Sequence, residues 1–362
     1  MRPDSDLRVD IVYLWVNGSD PVWRRKRQRA AARLSVSHRN AMALYGNVEG
    51  RFRDNDELRY SLRALARFFP DHGHIYVVTD NQTPAWLKPS SQLTLVDHRD
   101  LIPADKLPTF DSGNIESYIH RIPNLSERYF YFNDDVFFGA PVQLDDWFYN
   151  GGTYVAWSDD AVVSNEPLRA DATALENACR LSHQWLDAHT KVSVSAGPEG
   201  SWPAYTPVFR TFAHSPRPML KSRLLMLEAV APELFDSVRS TVFRAWDKPT
   251  IVSDFVLRWA LAHGQSRLCE HSHVYLSTGD GAVGDLGELD EQLDALVNAV
   301  GRLDFFCIND TTDDAHAHDP RLGRVREALQ EIFPQPSAFE QPAPPARWPG
   351  AALEGVQAMS VV

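Results

Sequence analysis

The chain has 362 residues, 44% of them hydrophobic and 23% charged. At roughly 150 residues per domain this suits two domains, or one large α/β domain with an insertion and a sizeable core. Its 48 acidic against 36 basic side chains leave a formal net charge of −12, which argues against binding to nucleic acid or anionic bilayers. An anionic substrate bridged through a divalent cation stays open. Cys179, Cys269 and Cys307 form no Cys-x-x-Cys pair, so neither a disulfide framework nor a cysteine zinc site is expected. No run approaches the ~18 apolar residues of a membrane span, and no secretory signal is visible. A cytoplasmic enzyme without direct membrane insertion is the expectation.

Asp10 to Val16 is β-branched and aromatic and stops at Asn17-Gly18-Ser19-Asp20-Pro21, which reads as a buried strand and a loop. The basic run Arg24 to Arg33 suits a helix with a solvated face. Asp54 to Phe69 is the clearest helix: Leu58, Leu62, Leu65 and Phe69 form one apolar stripe. Asp54 and Glu57 have capping-box spacing, and Pro70 ends the helix. His74 to Thr79 and Leu93 to Val96 read as strands ending at Asp80 and Asp97. Gly113 to Arg121 reads as a helix. Arg128 to Phe132 is an aromatic strand ending at Asn133-Asp134-Asp135, and Val136 to Phe138 continues beyond that acidic turn.

Residues from 151 to 204 are rich in Gly, Pro, Ser and Ala and read as an insertion with a helix near Ala172 to Ala188. Helices are expected at about Arg217 to Ala231, Ile251 to His263 and Asp285 to Gly301. A short strand, Asp304 to Ile308, enters Asn309-Asp310. From Phe333 on, six prolines in thirty residues predict a poorly ordered tail. Polar residues thus close each early strand, and open α/β sheets bind ligands at those carboxyl ends.

Adjacent carboxylates such as Asp134 and Asp135 are costly unless solvated or neutralised. Mg²⁺ or Mn²⁺ prefers such oxygen ligands; an ordinary Asx turn is the bland alternative. Asn309-Asp310 repeats the theme. Asp56 sits where acids favour the helix dipole. His214 precedes an expected helix, and an unperturbed imidazole suits a general base near neutral pH. Arg244 and Arg121 are suited to gripping phosphates, or to pairing surface acids. P-loop, G-x-G-x-x-G, G-x-S-x-G and H-E-x-x-H motifs are absent, against ATPase, dinucleotide, serine-hydrolase and zincin readings.

Several blocks resemble a known family. Tyr13-Leu14-Trp15-Val16-Asn17-Gly18-Ser19-Asp20-Pro21 with Trp23 is similar to the first signature block of the Stealth proteins, sugar-1-phosphate transferases of bacterial capsule and exopolysaccharide synthesis. The second block resembles Arg51 to Arg63, then Val77 to Leu87, Leu107 to Phe110, Ile115-Glu116, His120 to Pro123 and Asn133 to Val136. The third looks like Ala213-His214 with Pro216, Phe243-Arg244 and Asp254, and the fourth like Phe305 to Asp310.

The resemblance implies a Rossmann-like, glycosyltransferase-A-like α/β fold: a mainly parallel sheet flanked by helices, with a helical C-terminal part. Residues 1–9 would be a tail and 10–332 one catalytic domain. Its parts would be a nucleotide-sugar half (10–150), the insertion (151–204) and a helical half (205–332); 333–362 would be disordered. The activity implied moves a hexose-1-phosphate from a nucleotide sugar to a glycan or lipid-linked glycan hydroxyl, releasing a nucleoside monophosphate. Asp134 and Asp135 would hold Mg²⁺ or Mn²⁺. His214 would deprotonate the acceptor, with Asp56 the alternative base. Arg244 would stabilise the phosphoryl oxygens. Trp15, Asn17, Asp80, Arg121, Asn133, Asn309 and Asp310 would bind substrate. A metal-dependent glycosyltransferase and a non-catalytic nucleotide-sugar- or glycan-binding protein are the rival readings.

Overall fold

The computed structural model describes residues 8–160, 162–190, 207–279, 286–315 and 319–341. Its strands are β1 (Val9–Leu14), β2 (Ile75–Thr79), β3 (Leu93–Asp97), β4 (Arg128–Asn133), β5 (Val136–Phe138), β6 (Phe148–Tyr149), β7 (Gly152–Val155), β8 (Arg217–Leu220), β9 (Ser266–Leu268), β10 (His273–Ser277) and β11 (Phe305–Asn309). The main sheet has the order β3-β2-β1-β4-β8, parallel except for β8. This is the mainly parallel, Rossmann-like sheet expected.

β1 and β2 are buried at every position, as strands covered on both faces must be. Side chains alternate between two cores. Ile11, Tyr13, Phe130 and Phe132 face one, with Leu58, Leu62 and Leu65 of the helix Glu57–Phe68. Val12, Leu14, Tyr129 and Tyr131 face the other, with Ile115, Met219, Leu224 and Phe255. The register sets Leu14 opposite both Val78 and Asn133, and Thr79 opposite Asp97. Four parallel strands therefore end level with one another. Beyond Asn133 the chain turns at Asp134-Asp135 and leaves the main sheet. β5 pairs antiparallel with β11, which runs parallel to β10. The acidic turn is thus the joint between two sheets.

The structure corrects three expectations. The helix expected from Arg217 begins instead as β8, because Arg217 to Leu220 pairs with the open edge of β4. Pro218 is tolerated on such an edge strand. Helices Lys221–Val230 and Pro232–Val238 follow. Asp54 and Glu57 form no capping box: the Glu57 carboxylate accepts from the Asn55 backbone N (2.6 Å) and Nδ2 (2.8 Å), and Asp56 stands at the helix start with φ 68°. Finally, the packed fold does not stop at 332. Phe333 and Phe339 are buried, and Glu340 accepts from Arg63 (2.7 Å twice) and Arg59 (2.6 Å). The expected tail beyond 341, residues 1–7 and the end of the insertion lie outside the described residues.

Glu340 therefore fastens the C-terminal segment to the helix that begins at the site. Breaking a buried pair strands the remaining charge, so Glu340→Ala is expected to cost about 3 kcal/mol. Urea unfolding checks this; a loss under about 1 kcal/mol would show that the segment is not part of the cooperative fold.

Candidate active site

A cavity of about 910 Å³ opens over the carboxyl ends of β1, β2 and β4, with one side closed by β10, β11 and side chains such as Asp159, Val163 and Leu175. One wall is acidic. Asp134 and Asp135 come from the joint after β4, and Glu57 from the start of its helix. Asp54 stands behind them, facing the Trp15 indole. Burial, then the nearby Asp54, pushes the Glu57 carboxyl up to about 8. Burial and Asp56 push Asp54 up to about 6. Burial, Glu57 and Asp135 hold Asp134 well above the usual carboxylate range. Among the described residues, none of these four carboxylates pairs with a Lys or Arg.

His214 reaches the same spot because β8 runs antiparallel to β4. The residues just before β8 then lie beside the end of β4. His214 Nε2 is 3.0 Å from Asn133 Nδ2 and 3.3 Å from Asp135 Oδ1. The Tyr131 hydroxyl lies 2.7 Å from Asn133 Oδ1 and 2.9 Å from Glu116 Oε1, which ties the Asn133 amide to the buried Glu116 carboxylate. His214 Nε2 thus faces both the Asn133 amide and the Asp135 carboxylate, the placement a positioned general base requires. Asp135, His214 and Cys307 each bring a ligand-type atom within 4.8 Å of the others. Burial, then Asp135, keeps the Cys307 thiol protonated, and it donates to Asp135 Oδ2. The remaining donors are carboxylate oxygens and one imidazole, a set suited to a hard divalent ion.

The opposite wall is basic. Arg51 Nη2 and Arg244 Nη2 both donate to the Ser112 hydroxyl, at 3.0 and 2.6 Å. Arg244 also meets Asp111 at 3.4 Å; Arg51 has no carboxylate partner among the described residues. Burial and the neighbouring Arg244 draw Arg51 down to about 10. Arg244 is held in place because its strand segment is zipped to Ala41 to Ala43 through backbone bonds. Two guanidiniums that share a hydroxyl, with only Arg244 meeting a carboxylate, leave positive charge for a polyanionic ligand.

Of the sequence-derived site residues, Trp15, Asn133, Asp134, Asp135, His214 and Arg244 line this cavity. Asn309 and Asp310 also line it. Asn309 donates to the Tyr275 hydroxyl at 2.8 Å, whereas Asp310 is spent on Arg53 and Thr312. Four residues lie elsewhere. Arg121 pairs with Glu228 at 2.6 Å, and Asp80 with Lys26 at 2.5 Å. Asn17 shapes a turn with Ser19 and Gln82. Asp56 shapes the helix start. The sequence reading missed Arg51, Glu57 and Cys307 as site residues, although all three stand inside the motif blocks it quoted.

Conserved regions 1, 2 and 4 of the Stealth proteins match residues 7–35, 51–156 and 300–348, together about half of the chain. The chain belongs to the Stealth family. Three curated relatives agree with that membership. An exopolysaccharide phosphotransferase of Streptomyces coelicolor is 34% identical over 93% of this chain and 33% of its own length. A second from that organism is 33% identical over 95% of this chain and 54% of its own length. The exopolysaccharide phosphotransferase CpsY of Mycobacterium leprae is 30% identical over 94% and 58%. This Stealth chain thus spans between a third and three fifths of those relatives. His214, Arg244 and Asp254 fall outside the three matched regions; Arg51, Glu57, Asp134 and Asp135 fall inside the second. In this Stealth protein no described helix is long and apolar enough to cross a membrane.

Proposed function

We propose that this chain transfers a hexose-1-phosphate from a nucleotide sugar to a hydroxyl of a glycan or lipid-linked glycan, in the cytoplasm. The observation that carries the reading is the two-sided cavity: carboxylates with no Lys or Arg partner among the described residues on one wall, Arg51 and Arg244 on the other, and His214 beside the acids. The relatives named phosphotransferases support the same chemistry.

Asp134 and Asp135 are the residues that would hold Mg²⁺ or Mn²⁺, which when bound neutralises charge on the donor diphosphate. Arg51 and Arg244 grip the non-bridging oxygens of the transferred phosphoryl group, where charge accumulates as the bond to the leaving phosphate stretches. His214 Nε2 accepts the proton of the acceptor hydroxyl. The acceptor oxygen forms a bond to the sugar-bearing phosphorus, and the bond from that phosphorus to the bridging oxygen breaks. The products are a phosphodiester and a nucleoside monophosphate. Trp15 and Asn309 complete the walls around the reactants.

The released nucleotide tests this against glycosyl transfer in the same cavity. With a panel of UDP-, GDP- and CDP-sugars and a capsular glycan acceptor, chromatography is expected to show nucleoside monophosphate in step with product. Release of nucleoside diphosphate would assign attack at the anomeric carbon instead. Saturable nucleotide-sugar binding without turnover would leave the chain a binding protein.

A further inference from the structure

Part of the cavity wall is apolar. Leu14 and Val78 supply it from the ends of β1 and β2, and Trp23 and Phe110, packed edge to face at 5.3 Å, line the same cavity. Thr109 adds a hydroxyl that is already bonded to the Thr241 carbonyl at 3.2 Å. His98 follows β3 directly, at the start of a single helical turn capped by Asp97. It lines the cavity although only 4% exposed. Neither of its ring nitrogens has a hydrogen-bond partner among the described residues. Its ring is thus open to a ligand in the cavity it lines.

The surroundings of His98 determine which kind of partner it wants. Burial holds its pKa down to about 4, so the ring is neutral at pH 7. A neutral imidazole has one N–H and one bare nitrogen. The Asp80 carboxylate stands 4.0 Å from Nδ1 and is itself fixed by Lys26. Negative charge at that position favours the proton on Nδ1. Nε2 is then the bare acceptor. The strand order adds the position: β3 lies three strands from β4, at about 4.8 Å per strand. A nucleotide with its phosphates at Arg51 and Asp134 extends its base along the strand ends toward β3. The aromatic and aliphatic walls there suit a flat ring.

Resting on the nucleotide-sugar reading above, we propose that His98 reads the donor's base, its Nε2 accepting a hydrogen bond from a ring lactam N–H. Uracil at N3 and guanine at N1 carry that group. Cytosine at N3 and adenine at N1 present a lone pair instead, which faces the Nε2 lone pair and leaves both acceptors buried and unpaired. The penalty for such a mismatch corresponds to about 10- to 100-fold in affinity. Asp80, expected from the sequence to touch substrate, here acts through His98 by fixing its tautomer.

The test is calorimetric titration of the full chain with UDP, CDP, GDP and ADP in the presence of Mg²⁺. UDP is expected to bind at least about 10-fold more tightly than CDP, or GDP than ADP; which pair responds identifies the base. His98→Gln, which can place a carbonyl oxygen near the Nε2 position, should keep the preference. His98→Phe should bring the pair within threefold. Should His98→Phe fail to fold, N3-methyl-UDP (or N1-methyl-GDP) on the wild-type chain asks the same question without a mutation, and at least tenfold weaker binding is expected. Equal binding of lactam and non-lactam bases, tighter CDP than UDP, or a preference that survives His98→Phe would overturn the assignment while leaving nucleotide binding intact. Failure of all four nucleotides to bind would instead remove the nucleotide-sugar reading itself, and this inference with it.

Discussion

Asp135→Asn is expected to lower turnover by about 10²- to 10³-fold and to weaken binding of Mg²⁺ or Mn²⁺ at least about tenfold. The substitution keeps the shape and the contact with His214 but removes the charge. His214→Ala should behave differently. A positioned base is worth about 10²- to 10⁴-fold in rate, so kcat should fall by roughly that factor while metal affinity stays within threefold. The closeness of His214, Asp135 and Cys307 makes the metal titration decisive: a tenfold loss of metal affinity in His214→Ala would make this imidazole a ligand rather than the base. Thermal midpoints on the same preparations separate either result from simple unfolding. Full turnover in excess EDTA, or an Asp135→Asn variant within threefold of wild type, would end the metal assignment.

The metal-free chain is expected to lose stability as pH rises from about 6.5 to 8. Glu57, Asp54 and Asp134 all bind protons more tightly folded than unfolded. For such acids the stabilisation is complete below the ordinary carboxyl range. It is lost as pH rises through the folded values, that of Glu57 being about 8. Buried histidines work in the opposite direction at lower pH. His98 and His120 are held down to about 4, chiefly by burial, so their contribution rises with pH up to about 6.5 and is flat beyond. The interval from 6.5 to 8 therefore isolates the acids. A fall of about 5 °C in thermal midpoint across it is expected, and Glu57→Gln should flatten the profile. Added Mg²⁺ should stabilise more at pH 8 than at pH 6.5, because it replaces protons the acids still hold at the lower pH. A flat wild-type profile, or greater metal stabilisation at pH 6.5, would contradict the crowded-carboxylate account.

What the sequence determined by itself was the set of elements with a strong local period and the residues at their ends. The runs at β1, β2 and β4 are long and aromatic or β-branched, and the stripe Leu58, Leu62, Leu65 repeats at helical spacing. Each of these patterns has one compatible backbone state. Because polar residues cannot stay in a strand buried on both faces, Asn133-Asp134-Asp135 had to mark a strand end, and ligand sites gather there. The tertiary structure decided the partners. Arg51 and Arg244 meet on Ser112 across 193 residues of sequence, through the zipping of Ala41 to Ala43 onto the Arg244 segment. Glu57 looked like a capping acid, but the turn at Asp56 sends its carboxylate toward Asp134. Arg121 had the right chemistry for a phosphate, yet lies on the helix side with Glu228. Arg217 to Leu220 had no strand signature strong enough to read, and became β8 because the edge of β4 was open. Local periodicity reports which face of an element is apolar; it carries no information on the register and crossovers that bring distant side chains together. His98 shows the limit most plainly: one histidine after a short strand, given a purpose only by burial, the Asp80 carboxylate and the cavity it lines.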